Sequence, residues 1–189
     1  STATKTRGLH EYIVDVGGEE HPNADGRFNL GDCVTTVIAR ANGECVILSH
    51  DTKLPRPYAL NFRVRGPRGV WLVDNRSIYL EGVSPEPHRW EPFETYQAQY
   101  EHPLWQKYAI DAEGGGHGGM DFFVMHAFVE SVKRGHPTPL DVYDAAAWSV
   151  IGPLSERSIA MGNHPVAFPD FTGGTWATRT PLFALGSVY

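Results

Sequence analysis

Gly114-Gly115-Gly116-His117-Gly118-Gly119-Met120-Asp121, with Phe122, Phe123, Val124, Met125, Ala127, Phe128, Val129 and Val132 close behind, is the stretch around which the chain is organised. Five glycines around one imidazole let the backbone approach a neighbour closely and take positive φ at little steric cost. The apolar run predicts a helix over Met120–Arg134, with Lys133 and Arg134 in its last turn and Gly135 at the C-cap. His117 then stands at a helix mouth, beside unpaired N–H groups and the positive end of the dipole, where an anion or polar ligand is welcome. A plainer reading stands beside this one. The glycines make a tight turn, His117 caps it, and Asp121 is a first-turn acid favoured by the dipole.

Upstream of that helix the pattern reads as strands. Residues 9–16 predict a first strand, and 17–31 a polar loop containing Pro22, Asn23 and Gly26. Asn42-Gly43 is a two-residue hairpin signal between 33–41 and 44–51. Pairing Ala41 with Glu44 sets Cys45 opposite Arg40 and Cys33 opposite Thr52, too far apart for the two sulfurs to bond. Free thiols suit a reducing compartment. On that register Val37, Ala39, Val46 and Leu48 share one face, while Val34, Ile38 and Ile47 lie on the other among Thr36, Arg40 and Ser49. The Pro-stiffened segment 51–58 leads to strands near 61–65, 70–73 and 77–80, with turns at Pro67-Arg68-Gly69 and Asp74-Asn75. Residues 82–92 hold three prolines and predict an irregular loop.

Helices dominate the remainder: one over 94–109, then Met120–Arg134. Another begins near Thr138-Pro139, with Asp141 three residues after the cap, and runs to about Ala160 with a kink at Gly152-Pro153. Strands first and helices after predict an α+β fold, a mainly antiparallel open sheet with helices packed on one face.

The 189 residues are 41% hydrophobic and 20% charged, the composition of one globular domain. Lys and Arg total 16 against 22 acidic residues, for a formal charge of −6, with no basic cluster. That argues against a nucleic-acid partner. No apolar run approaches the roughly 18 residues of a membrane span, and the first seven residues have no signal-peptide core. The chain begins with Ser1, not Met, and is expected to be processed or part of something longer. Nine histidines show no metal-ligand helical spacing, so no metal site is expected. No G-x-G-x-x-G follows a strand, so no dinucleotide is expected to bind here.

Five segments, taken in order, carry a resemblance: 51–58 (Asp51 to Tyr58), 100–104 (Tyr100 to Leu104), 115–123 (Gly115 to Phe123), 141–148 (Asp141 to Trp148) and 169–172 (Pro169 to Thr172). Together they resemble the C-terminal domain of Gfo/Idh/MocA-type proteins, and specifically of NAD-dependent family 109 glycoside hydrolases, whose activity is α-N-acetylgalactosaminidase. The resemblance implies that residues 1–189 form a single substrate-binding and oligomerisation domain, with an N-terminal Rossmann domain holding NAD outside this chain. It also implies a retaining glycosidase route of oxidation at the sugar C3, elimination, water addition and reduction, outside the usual two-carboxylate rule. The family's catalytic histidine segment is expected upstream. Where the family reads Asp-Phe-Thr-Arg-Gly, this chain has Asp170-Phe171-Thr172-Gly173-Gly174.

Carried onto this chain, the resemblance makes Tyr58 and His117 the catalytic candidates. Tyr58 would reach the sugar or its leaving group, and His117 would donate a hydrogen bond to sugar or cofactor. Arg56, Asp121 and Trp176 are the substrate-binding candidates: Arg56 as an anion clamp, Trp176 as a stacking platform. Asp121 either orients His117 or serves the dipole, the second being favoured. Plainer roles compete: an interfacial aromatic for Tyr58, a solvated loop residue for Arg56, a tail-docking ring for Trp176. The expected partners are an N-acetylated hexosaminide or related sugar, the Rossmann half, and a second copy meeting the open sheet face. The rival functions are a sugar or inositol dehydrogenase with net NAD(P) turnover, and a non-catalytic dimerisation module.

Overall fold

The computed structural model describes residues 1–26, 31–51, 54–180 and 184–189. Along the chain run β1 (Thr2–Ala3), α1 (Gly8–Gly17), β2 (Cys33–Ala39), β3 (Cys45–Asp51), β4 (Arg63–Gly66), β5 (Gly69–Leu72), β6 (Ser77–Leu80), β7 (Glu91–Pro92), α2 (Glu94–Tyr100), α3 (Pro103–Tyr108), α4 (Met120–Arg134), α5 (Val142–Ser149) and α6 (Ile151–Ala160). Single 3₁₀ turns lie at His117–Gly119 and Thr175–Ala177. The fold is α+β with open antiparallel sheets, as the order of patterns predicts. The strands are divided between two sheets, β1-β2-β3 and β4-β5-β6-β7. The chain likewise forms two units: Ser1–Arg56 with Val142–Arg179, and Pro57–Asp141 with Thr180–Tyr189.

In the first unit the β2–β3 hairpin forms where Asn42-Gly43 places it, with the register moved by one residue. Arg40 N–H donates to Glu44 O at 2.9 Å and Gly43 N–H donates to Arg40 O at 3.0 Å. Ala41, Asn42 and Gly43 therefore make a three-residue bulged loop in place of the two-residue turn. Ala39 now opposes Cys45 and Val37 opposes Ile47, and Cys33 opposes Asp51. Thr52, its expected partner, lies outside the described residues. Both cysteines are free, as expected.

A one-residue slip reassigns faces, because successive side chains alternate. Thr36 and Ile38 share a face with Val46 and Leu48, not with Ile47. That face is the more protected one, with Thr36 Oγ1 2.8 Å from Ser155 Oγ on α6, although Leu48 at its edge is 38% exposed. On the opposite face Val37 and Ile47 stand open, 62% and 68% exposed.

Residues 9–16 are helical, contrary to the predicted strand. Leu9, His10, Ile13 and Val14 form the more protected side of α1, a helical spacing. The helix has no side-chain cap of its own. The carboxylate of Asp32, distant in sequence and buried, accepts from Arg7 N–H at 2.7 Å and Gly8 N–H at 3.0 Å. The remote cap satisfies donors that a helix start leaves open, and no local pattern could announce it.

α5 begins at Val142, later than the Thr138 cap predicted. Thr138 Oγ1 instead donates to Leu140 O at 2.6 Å. The expected interruption between α5 and α6 falls at Val150. Pro153 has no N–H to offer the carbonyl four residues back, Ser149, so the break lies upstream of the proline itself.

In the second unit Trp71 of β5 meets Phe62 and Phe93, with ring centroids 5.8 and 5.6 Å away. The predicted loop over 82–92 ends in a short strand, β7, paired with β6 through Ile78 and Glu91. The helix predicted over 94–109 is two. Pro103 forces His102 into an extended conformation (φ −59°, ψ 134°). His102 then caps α3, its Nδ1 accepting from Leu104 N–H at 3.1 Å. α4 spans the residues predicted for it, and Gly135, at φ 63°, donates to the Ser131 and Val132 carbonyls.

Candidate functional site

The glycine-rich stretch folds back over the start of α4. Gly119 N–H donates to Gly115 O at 3.0 Å, and Asp121 N–H to Gly116 O at 3.2 Å. Gly119 requires glycine twice over. Its φ of 95° is left-handed, and a Cβ there would sit 3.0 Å from both the Ala112 carbonyl and the Trp105 ring. Ala112, 1% exposed, is the floor against which the loop is pressed.

Between this loop and the end of α3 lies an open concavity of about 470 Å³, lined by Trp105, Ile110, Glu113 and glycines of the loop. Its walls are mainly apolar, with the Glu113 carboxylate as the charged group on its lining. Trp105 is held by α4, its ring centroid 4.5 Å from that of Phe123. Trp105 and Glu113 were not singled out from sequence. Trp105 immediately follows the Tyr100–Leu104 segment, a signal that a helix-packing reading absorbs.

His117 and Asp121 are the two candidates that the structure joins. His117 Nδ1 lies 3.0 and 2.9 Å from the two oxygens of Asp121. The pair spans one turn, with the imidazole side chain 80% exposed. Asp121 thus contacts His117 and also stands in the first turn of α4, where the dipole favours an acid. Space beneath the loop is kept for this carboxylate, since a Cβ on Gly116 would fall 2.2 Å from Asp121 Oδ2.

Each of the other candidates has its own surroundings. Tyr58, in the second unit, is 87% exposed, and no hydrogen bond joins it to His117 or Asp121. Arg56, in the first unit, turns back on Asp51. Its guanidinium donates twice to the Asp51 carbonyl and lies 3.5 Å from the Asp51 carboxylate. The predicted anion clamp is thus already engaged by an acid five residues earlier. Trp176, also in the first unit, occupies the 3₁₀ turn; its backbone N–H donates to Thr172 Oγ1 at 2.9 Å and the residue is 54% exposed.

That turn is organised by Asp170. Its carboxylate accepts from Thr172 N–H at 2.8 Å, Thr172 Oγ1–H at 2.7 Å and Gly174 N–H at 2.6 Å. Thr172's hydroxyl and N–H, with the Gly174 N–H adding to them, hold the Asp170 carboxyl below its ordinary range. The described histidines also divide by environment. His126 is packed among rings, stacked on Phe122 at 5.1 Å and bonded through Nδ1 to the Tyr189 hydroxyl at 3.0 Å. Among the described residues no three ligating side chains gather to hold a metal, and no helix is long and apolar enough to cross a membrane.

Comparison with known proteins places this geometry in a family. A sequence model described as the glycosyl hydrolase 109 C-terminal domain matches residues 1–178. A family 109 protein from Stenotrophomonas maltophilia is 55% identical over 188 residues, which is 99% of this chain and 41% of that protein. An alpha-N-acetylgalactosaminidase from Tannerella forsythia is 52% identical over 98% of this chain and 39% of its own length. A family 109 protein from Streptomyces coelicolor is 39% identical over 96% of this chain and 40% of its own. The chain thus spans about two fifths of the length of the curated relatives it matches. It belongs to glycosyl hydrolase family 109, matching that family's C-terminal domain.

Proposed function

We propose that these 189 residues serve as one substrate-binding and oligomerisation domain of an NAD-dependent, retaining glycosidase acting on α-N-acetylgalactosaminides, inactive alone. The observation that carries this reading is the 52% identity, across 98% of the chain, to the Tannerella enzyme. The concavity supports it. The Trp105 ring and Ile110 offer apolar surface suited to the C–H face of a pyranose, with Glu113 among the lining residues. Tyr58 and His117 remain the residues assigned to catalysis, with Arg56, Asp121 and Trp176 assigned to substrate.

NAD does not fit this chain. The sheets formed by the described residues are antiparallel, without the parallel strand–glycine loop–helix crevice that seats a dinucleotide. The cofactor is assigned to a Rossmann domain outside these residues, which would supply the oxidation and reduction of the oxidation–elimination–addition–reduction route. Titrating NAD into this chain in a calorimeter is expected to give no binding heat. Saturable binding would overturn that assignment.

The decisive test uses the full-length protein with a chromogenic α-N-acetylgalactosaminide and, separately, with free sugars. Chromophore release without net NADH supports the glycosidase. Steady NADH accumulation on free sugars would establish the dehydrogenase instead. The open face of β2–β3, with Val37 and Ile47 unshielded, favours the oligomerisation role. A dimer or larger species is expected by light scattering at roughly tens of micromolar, where a standard-sized interface holds. Ile47→Lys should reduce it to monomer, and a monomeric parent protein would refute the role.

A further inference from the structure

We infer that Asp121 is a positioning residue that holds His117 as its Nδ1–H tautomer, so that Nε2 is presented as a hydrogen-bond acceptor to a hydroxyl of the bound sugar. This rests on the reading of the chain as a sugar-binding glycosidase domain, and it reverses the donor role expected for His117 from sequence. An ionised carboxylate has no proton to give, so in the contact at 2.9 and 3.0 Å Nδ1 is the donor. A neutral ring that carries its proton on Nδ1 has its lone pair on Nε2.

Three further features fit a presented imidazole better than a loop tie. Backbone bonds from Gly119 to Gly115 and from Asp121 to Gly116 already close the loop, so the side-chain pair is not needed for closure. His117 is held at φ 53°, an unfavourable conformation for a residue with a Cβ, and its ring is nevertheless left exposed where packing returns little. The residues flanking it on both sides, Gly114, Gly115, Gly118 and Gly119, line the concavity beside Trp105. His117 is carried by the loop whose glycines line the concavity, so a pyranose seated on the Trp105 ring would lie against that loop.

Two measurements test this. In the ¹⁵N-labelled 189-residue chain, two-bond nitrogen–proton correlation spectra at neutral pH should show His117 with Nδ1 protonated and Nε2 bare. Asp121→Ala should shift the ring toward the Nε2–H form, and Asp121→Asn, which retains an acceptor oxygen, should keep much of the native tautomer. In the full-length enzyme, Asp121→Ala is expected to lower kcat/KM by about 10- to 100-fold, the scale seen when a carboxylate behind a metal-bound imidazole is lost. Asp121→Asn should recover most of that loss while both variants keep the parent circular dichroism.

An Nε2–H tautomer in the parent chain would overturn the inference. So would an Asp121→Ala enzyme with unchanged turnover, or a loss that Asp121→Asn fails to relieve. The spectra need no turnover. A full-length parent that cleaves no α-N-acetylgalactosaminide would therefore refute the functional reading while the tautomer still decides what Asp121 does to His117.

Discussion

Two glycine-bearing loops in this chain each contain one aspartate, and they use it in opposite ways. In the loop over 170–174 the carboxylate of Asp170 accepts three bonds from its own turn, two from Thr172 and one from Gly174. Both of its oxygens are engaged in building the turn. In the loop over 114–121 the backbone closes itself, and the carboxylate of Asp121 is engaged with the imidazole of His117. Resemblance to a family motif marks both loops equally. What separates a fold-building acid from one coupled to a reactive group is where its oxygens are directed.

The comparison breaks first at His117. In the full-length enzyme His117→Ala should cost on the order of 10²-fold in kcat/KM, the scale of losing one positioned proton-handling or accepting group. Its thermal midpoint should stay within a few degrees of the parent. A variant that keeps full activity and melts much earlier would make the loop at 114–121 structural, like its counterpart.

Gly119→Ala is the next largest effect, and it falls on stability. The added Cβ meets the Ala112 carbonyl and the Trp105 ring at 3.0 Å, in a backbone at φ 95°. A cost of about 2 kcal/mol is expected, read as a shift of the denaturation midpoint at unchanged slope. A neutral result would mean that α3 and the loop are not pressed together as described.

The third effect is acid sensitivity. Asp170 titrates below its ordinary 3.8 in the folded chain, because the hydroxyl and N–H of Thr172 and then the N–H of Gly174 favour its charged form. A depressed folded value means that its contribution is complete above the unfolded value, near pH 4. It fades as pH falls through the folded one. Asp170→Asn should therefore lower the melting temperature by a few degrees at pH 7 and close the gap to the parent as pH approaches 2. Parallel melting curves across that range would show that the carboxylate's charge is not used in the turn.

How far the sequence discloses all this depends on whether the deciding contact is local. α4 was legible from end to end because its apolar run, basic last turn and C-cap glycine are all its own. Strands β4, β5 and β6 were legible from β-branched and aromatic runs between turn residues. α1 was not, since the acid that satisfies its first N–H groups, Asp32, arrives from the far side of a loop. The β2–β3 hairpin shows the sharper lesson: the turn dipeptide was right and its loop length wrong. One extra loop residue set Val46 and Leu48 beside Ile38 and Thr36, and Ile47 beside Val37. At the candidate site, the motif named His117 and Asp121, but only coordinates show the two-oxygen contact between them. Trp105, which walls the concavity, stayed hidden because a tryptophan within a helical pattern reads first as packing.

The smallest effect lies at Gly173, where the resemblance leads one to expect arginine. The backbone there has φ 60°, which only glycine adopts freely, yet nothing lies within 4 Å of the position a Cβ would take. Space is available and conformation is the obstacle. Gly173→Arg should accordingly destabilise the turn by about 1 kcal/mol, the cost of a left-handed residue with a side chain, and no more. The same substitution restores a planar cation with five donors beside the turn that carries Trp176. If that cation serves substrate in the family, the full-length variant should show a lower KM despite its lost stability. A turn destabilised with KM unchanged would show that an arginine at this position does not serve substrate.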